Sequence, residues 1–94
     1  MVEVPQDLAR CIKESNEYPD TVLEVHLTLD ELSKENIADL KEKGFNITHQ
    51  LHNVPAVFAE IKPYHRAKKW LEILANLDYV QKVSIAYDME ALAG

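Results

Sequence analysis

The chain has 94 residues, the length of one domain, since domains usually run to ~100–200 residues. Apolar residues make up 47% and charged residues 28%, which suits a globule with one core and excludes a disordered chain. Sixteen acidic against ten basic residues give a formal charge of −6. That excess disfavours nucleic acid and anionic membranes as partners, because both call for a positive surface.

No apolar run approaches the ~20 residues of a membrane span. The N-terminus, MVEVPQD, has neither the positive region nor the apolar stretch of a secretory signal. A cytoplasmic chain is therefore expected, or a secreted one if a leader precedes it. A lone cysteine, Cys11, excludes an internal disulfide and a cysteine-rich zinc site.

Residues 5–16 predict a short amphipathic helix. Pro5 suits its first turn, where the missing N–H would be unpaired anyway. Leu8, Cys11 and Ile12 recur at helical spacing, which places Cys11 on the apolar stripe as a small buried hydrophobe. Asn16 to Asp20 break the pattern. Residues 21–29, TVLEVHLTL, alternate as a half-buried strand does: Leu23, Val25, Leu27 and Leu29 on one face, Val22, Glu24, His26 and Thr28 on the other. Asp30 and Ser33 are candidate N-caps for a helix through about Lys43, with Leu32, Ile37 and Leu40 on its apolar side. Gly44 fits the left-handed residue after a helix end.

Residues 45–53 alternate again, with Phe45, Ile47, His49 and Leu51 against Asn46, Thr48, Gln50 and His52. Asn53-Val54-Pro55 is a turn or bend. Residues 56–62 predict a third strand, with Val57, Ala59 and Ile61 opposite Phe58 and Glu60. Pro63 opens the next helix, whose stripe is Ala67, Trp70, Leu71, Leu74 and Leu77. Residues 79–87 predict a fourth strand, in which Val83, Ile85 and Tyr87 alternate.

The order is βαββαβ with an extra N-terminal helix. Two helices on one face of an antiparallel sheet give an α+β, two-layer sandwich, and the ferredoxin-like topology is the simplest that keeps both crossovers right-handed. The expected divisions are an N-terminal helical extension over 1–20, the ferredoxin-like domain over 21–87 and a C-terminal tail over 88–94.

Chemistry is sparse. His49 and His52, three apart on a strand, point to opposite faces and do not share an ion, so no metal is expected. There is no GxSxG, P-loop, GxGxxG or HExxH motif. With only two glycines, Gly44 and Gly94, a phosphate-cradling loop is not expected either. The chain reads as a non-enzyme without a cofactor. Lys62, Arg66 and Lys69 lie along one side of the second main helix and read as its solvated back. The aromatic residues that a ferredoxin-like RNA binder sets on its central strands are missing, apart from Phe58.

A two-layer sandwich leaves one sheet face without helices. Glu24, His26, His52, Phe58, Glu60 and Ser84 are predicted there, a mixed surface that suits a protein contact. The N-terminal helix is equally free to fold back over it.

Residues 21–88 resemble the subtilisin propeptides and their stand-alone relatives, the proteinase inhibitor I9 family. The resemblance rests on TVLEVHLTL, on LSKENIADLKEKGFNITHQLHNVPAVFAEI, with NVPAVFAEI its most specific part, and on Val80-x-x-Val83. It implies a sheet face that packs on two surface helices of a subtilisin-like serine protease. It also implies a tail that runs product-like through the substrate cleft. Such domains act as inhibitors and folding chaperones. Met89, Glu90, Ala91 and Leu92 would then be the cleft residues, with Leu92 in the primary specificity pocket and Met89 in the fourth subsite back. The mode is strand addition, where backbone hydrogen bonds give affinity and alternate side chains select pockets. Family members usually carry Glu-x-Asp after the two valines, to cap protease helices. Here Ser84-Ile85-Ala86 stand in that place, with Asp88 and Glu90 further on.

Two readings remain. One is a propeptide-like inhibitor of a subtilisin-like protease. The other is a ferredoxin-like interaction or regulatory module, in which the sheet face or an edge strand joins a second copy as a homodimer.

Overall fold

The computed structural model describes residues 2–86. Tyr87, the end of the predicted fourth strand, and the tail residues Met89, Glu90, Ala91 and Leu92 lie outside the described residues. In chain order the elements are α1 (Gln6–Ser15), β1 (Leu23–Leu29), α2 (Lys34–Glu42), β2 (Asn46–Leu51), β3 (Ala56–Ile61), α3 (Ala67–Ala75) and β4 (Val80–Ile85).

Local chemistry sets the ends of α2. The Ser33 hydroxyl accepts from the Asn36 N–H at 3.1 Å, the side-chain cap that satisfies an otherwise orphan donor. At the other end Gly44 takes φ 108°, which a side chain disfavours, and the chain turns into β2. A Cβ on Gly44 would stand 3.3 Å from the Trp70 ring, so a side chain there would also press on that ring.

α1 has no side-chain cap hydrogen bond and is held by tertiary contacts instead. Its buried line is Leu8, Ile12 and Ser15, and Leu8 and Ile12 are wholly inside the core. This phase turns Cys11 to the edge of the stripe, half-buried rather than buried. Asn16, just past α1, ties it to the start of α3: its carbonyl accepts from the His65 N–H at 3.3 Å and its side-chain oxygen from the Ala67 N–H at 3.3 Å.

α3 begins at Ala67, four residues after Pro63. Pro63 to Arg66 close a turn, with Arg66 N–H donating to Pro63 O at 2.9 Å. His65 sits at φ 58°, a left-handed conformation that cannot belong to a right-handed helix. Ala67, Trp70 and Leu74 are the buried positions of α3, while Leu71 is half-buried. The Trp70 indole N–H donates to Lys62 O at 3.3 Å, which satisfies its polar atom inside the core.

The sheet order is β2-β3-β1-β4, and each neighbouring pair is antiparallel. Among the described residues the fold is thus α+β, with a four-stranded antiparallel sheet and three helices. α2 links β1 to β2 across β3, and α3 links β3 to β4 across β1. Val25, Leu27, Leu29, Val57, Ala59, Ile61 and Val83 of the sheet form one core with Leu8 and Ile12 of α1, Leu40 of α2 and Trp70 and Leu74 of α3. All three helices therefore cover the same sheet face, and α1 does not fold over the other one.

Two one-residue shifts interrupt the ladder. Ile47 pairs with Ala59 but His49 with Phe58, so β2 carries one extra residue at Thr48. Thr28 pairs with Lys82 but Leu29 with Val80, so β4 carries one extra residue at Gln81. A bulge of this kind breaks the period-two alternation and re-aims the side chains beyond it.

Asp39 of α2 fixes that helix to the approach to β4. It accepts from the Tyr79 hydroxyl and forms an ion pair with Lys43 at 2.7 Å. The Lys43 ammonium, and after it the Tyr79 hydroxyl, hold the Asp39 carboxyl below the usual carboxylate range. Burial, followed by the Asp39 carboxylate, pushes the Tyr79 phenol up.

Candidate functional site

The sheet face that no helix covers among the described residues is a grid of three rows, read across β2, β3, β1 and β4. The first row is Asn46, Glu60, Glu24 and Ala86, the second His49, Phe58, His26 and Ser84, and the third Leu51, Ala56, Thr28 and Lys82. Phe58 is its centre. The His26 ring lies 4.8 Å from Phe58, centroid to centroid, tilted at 43°. The His49 ring stands edge-on at 6.1 Å and 89°. Aromatic pairs favour these offset and edge arrangements, so the middle row is an ordered aromatic strip. The Thr48 hydroxyl donates to Phe58 O at 3.2 Å and pins the bulge.

Glu24 and Glu60 are direct cross-strand partners. Asn46 donates to Glu60 Oε1 at 3.0 Å, but no cation pairs with either glutamate among the described residues, where the ion pair is Lys43–Asp39. Like charges directly opposite are destabilising in a sheet, so this row sets two carboxylates side by side next to the aromatic strip, with Lys43, Lys62 and Arg66 lining a concavity beside Glu60. Leu51, at the β2 edge, is 42% exposed and extends the apolar part of the face.

Of the residues predicted for this surface, Glu24, His26, Phe58, Glu60 and Ser84 share the grid. His52 does not. The bulge at Thr48 swaps the faces of the β2 residues after it, and Gln50, with His52 in the turn just beyond the strand, lines a concavity on the helix side with Leu32 and Ile37. By the same exchange His49 and Leu51, predicted on the core side, stand on the open face. Sequence reading missed both, and no glycine or proline at Thr48 marks the change.

His65 lies in the turn before α3. Among the described residues no three His, Cys, Asp or Glu side chains gather into a group that could hold a metal. Nor is any described helix long and apolar enough to cross a membrane.

Comparison with known proteins finds no family model that matches the chain, no similar curated protein and no similar solved structure.

Proposed function

We propose that the chain is a non-catalytic, ferredoxin-like protein-binding domain that docks through its open sheet face on a subtilisin-like serine protease, as an inhibitor or chaperone-like partner. The observation that carries the reading is the helix-free face centred on Phe58, flanked by His26 and His49 and bordered by Glu24 and Glu60. The strand order, taken from the β4 edge as β4-β1-β3-β2, with two helices crossing over one face, supports the ferredoxin-like part.

The charge on the face fits the proposed partner. The family's carboxylates would fall at Ser84 and Ala86, which carry none. Ala86 lies beside Glu24, whose carbonyl accepts its N–H at 2.9 Å. Glu24 and Glu60 thus put negative charge in the same row, one and two strands away. The positive N-terminal ends of partner helices would relieve their mutual repulsion.

The test is a titration against a broad-specificity subtilisin on a peptide substrate. Competitive, micromolar inhibition (about −8 kcal/mol) is expected. Deletion of residues 88–94 should weaken it strongly. Leu92→Asp should weaken it more than Ala91→Ser, because a charge cannot enter an apolar pocket. No inhibition at high micromolar protein, with a stable dimer by light scattering, would favour the homodimeric module instead.

A further inference from the structure

The bulge at Thr48 also shapes the helix side of the sheet. It brings Gln50 to that side, where Gln50 and, just beyond the strand, His52 border a concavity of about 450 Å³ together with Leu32, Lys34, Ile37 and Lys41. It is an open surface concavity with room for a small molecule. Leu32 and Ile37 pack against the core while staying half-buried, so each leaves apolar surface toward the concavity. Lys34 and Lys41 lie seven apart, two turns along one side of α2. Neither has a carboxylate partner among the described residues. No Asp or Glu lines the concavity among the described residues, although the chain has sixteen of them.

We infer that this concavity binds a small amphipathic carboxylate, its apolar body against Leu32 and Ile37 and its anionic end between Lys34 and Lys41. The combination of walls decides the class. An apolar wall alone would take a neutral hydrophobe, and two lysines alone would attract any anion. Both on one concavity select a molecule that has both parts, and Gln50 and His52 add hydrogen-bonding groups at the rim. Charge-assisted hydrogen bonds from two ammonium groups to a ligand are short and strong. The site lies across the sheet from Phe58, so it stands whether or not the open face docks on a protease.

The test uses three probes on the full chain, followed by amide and side-chain NMR shifts: 4-phenylbutyrate, its uncharged analogue 4-phenylbutanol, and acetate. Saturable shifts are expected for 4-phenylbutyrate at Lys34, Ile37, Lys41, Gln50 and His52, with 4-phenylbutanol and acetate each binding about tenfold more weakly. The double variant Lys34→Gln/Lys41→Gln changes two exposed side chains and should keep the wild-type spectrum elsewhere. In it 4-phenylbutyrate should bind no better than the alcohol. Equal binding of acid and alcohol to the wild type, equal binding of acetate, or shifts centred away from these residues would each overturn the assignment.

Discussion

His49 meets Phe58 edge-on, with ring centroids 6.1 Å apart, because β2 carries one residue more than β3 between Ile47 and His49. In a regular ladder Thr48 would face Phe58 and His49 would face Val57, toward the helices. The extra residue places a second histidine on the open face and completes the strip His49–Phe58–His26. The make-up of the candidate docking surface thus depends on one irregularity in an edge strand, where bulges are most common.

Deleting Thr48 tests that register. Because Thr48 is the unpaired residue, its removal should regularise β2 and leave His49 opposite Phe58. A cross-peak between the His49 and Phe58 rings should be present in wild type and in the deletion. Its absence from wild type and appearance only in the deletion would show an unbulged strand.

This irregularity also marks where the sequence stopped being legible. The seven elements and their order follow from alternation, helical spacing, Ser33 and Gly44, because each of those signals acts within a few residues. A bulge is decided by partners far along the chain, and alternation continues unchanged through Thr48. Strict alternation therefore puts His52 on the open face and His49 and Leu51 on the core side, the reverse of what the bulge produces. The bulge in β4 did leave a trace. Val80 and Val83 are three apart and both buried, which period two forbids unless one extra residue intervenes. Pro63 misled for a related reason: a proline suits a first helical turn, but the left-handed His65 postpones α3 to Ala67.

The N-terminal helix should be energetically part of the domain, since Ile12 is fully buried in the shared core. Ile12→Ala should cost about 2–5 kcal/mol in urea or guanidinium unfolding. A change within about 0.5 kcal/mol, the range of ordinary surface substitutions, would mean that α1 is only loosely attached.

Asp39 and Tyr79 should give stability a dependence on pH at both extremes. The Asp39 carboxyl is held low in the fold, so it contributes above its unfolded value, about 3.9. That contribution is lost as pH falls through the folded value. The Tyr79 phenol is held high, so its contribution is complete below its unfolded value, about 10, and fades as pH rises beyond it. Asp39 is partly exposed, which limits the size of its effect by solvent screening. Unfolding followed from acid to alkaline pH should show a shallower acid limb in Asp39→Asn and a shallower alkaline limb in Tyr79→Phe. Unchanged limbs in both variants would assign the pH dependence to other groups.

The claim that the sheet face docks on a protease is tested most directly by comparing inhibition of a broad-specificity subtilisin by wild type, Phe58→Asp and Val54→Asp. Val54 is a 60% exposed apolar residue in the β2–β3 turn, outside the grid, and controls for the added charge. Circular dichroism would establish that all three are folded. Phe58→Asp should weaken competitive inhibition by about 2 kcal/mol or more, roughly 30-fold, as loss of a central aromatic anchor does, while Val54→Asp should match wild type. Equal inhibition by all three proteins, or none by the wild type, would contradict the account.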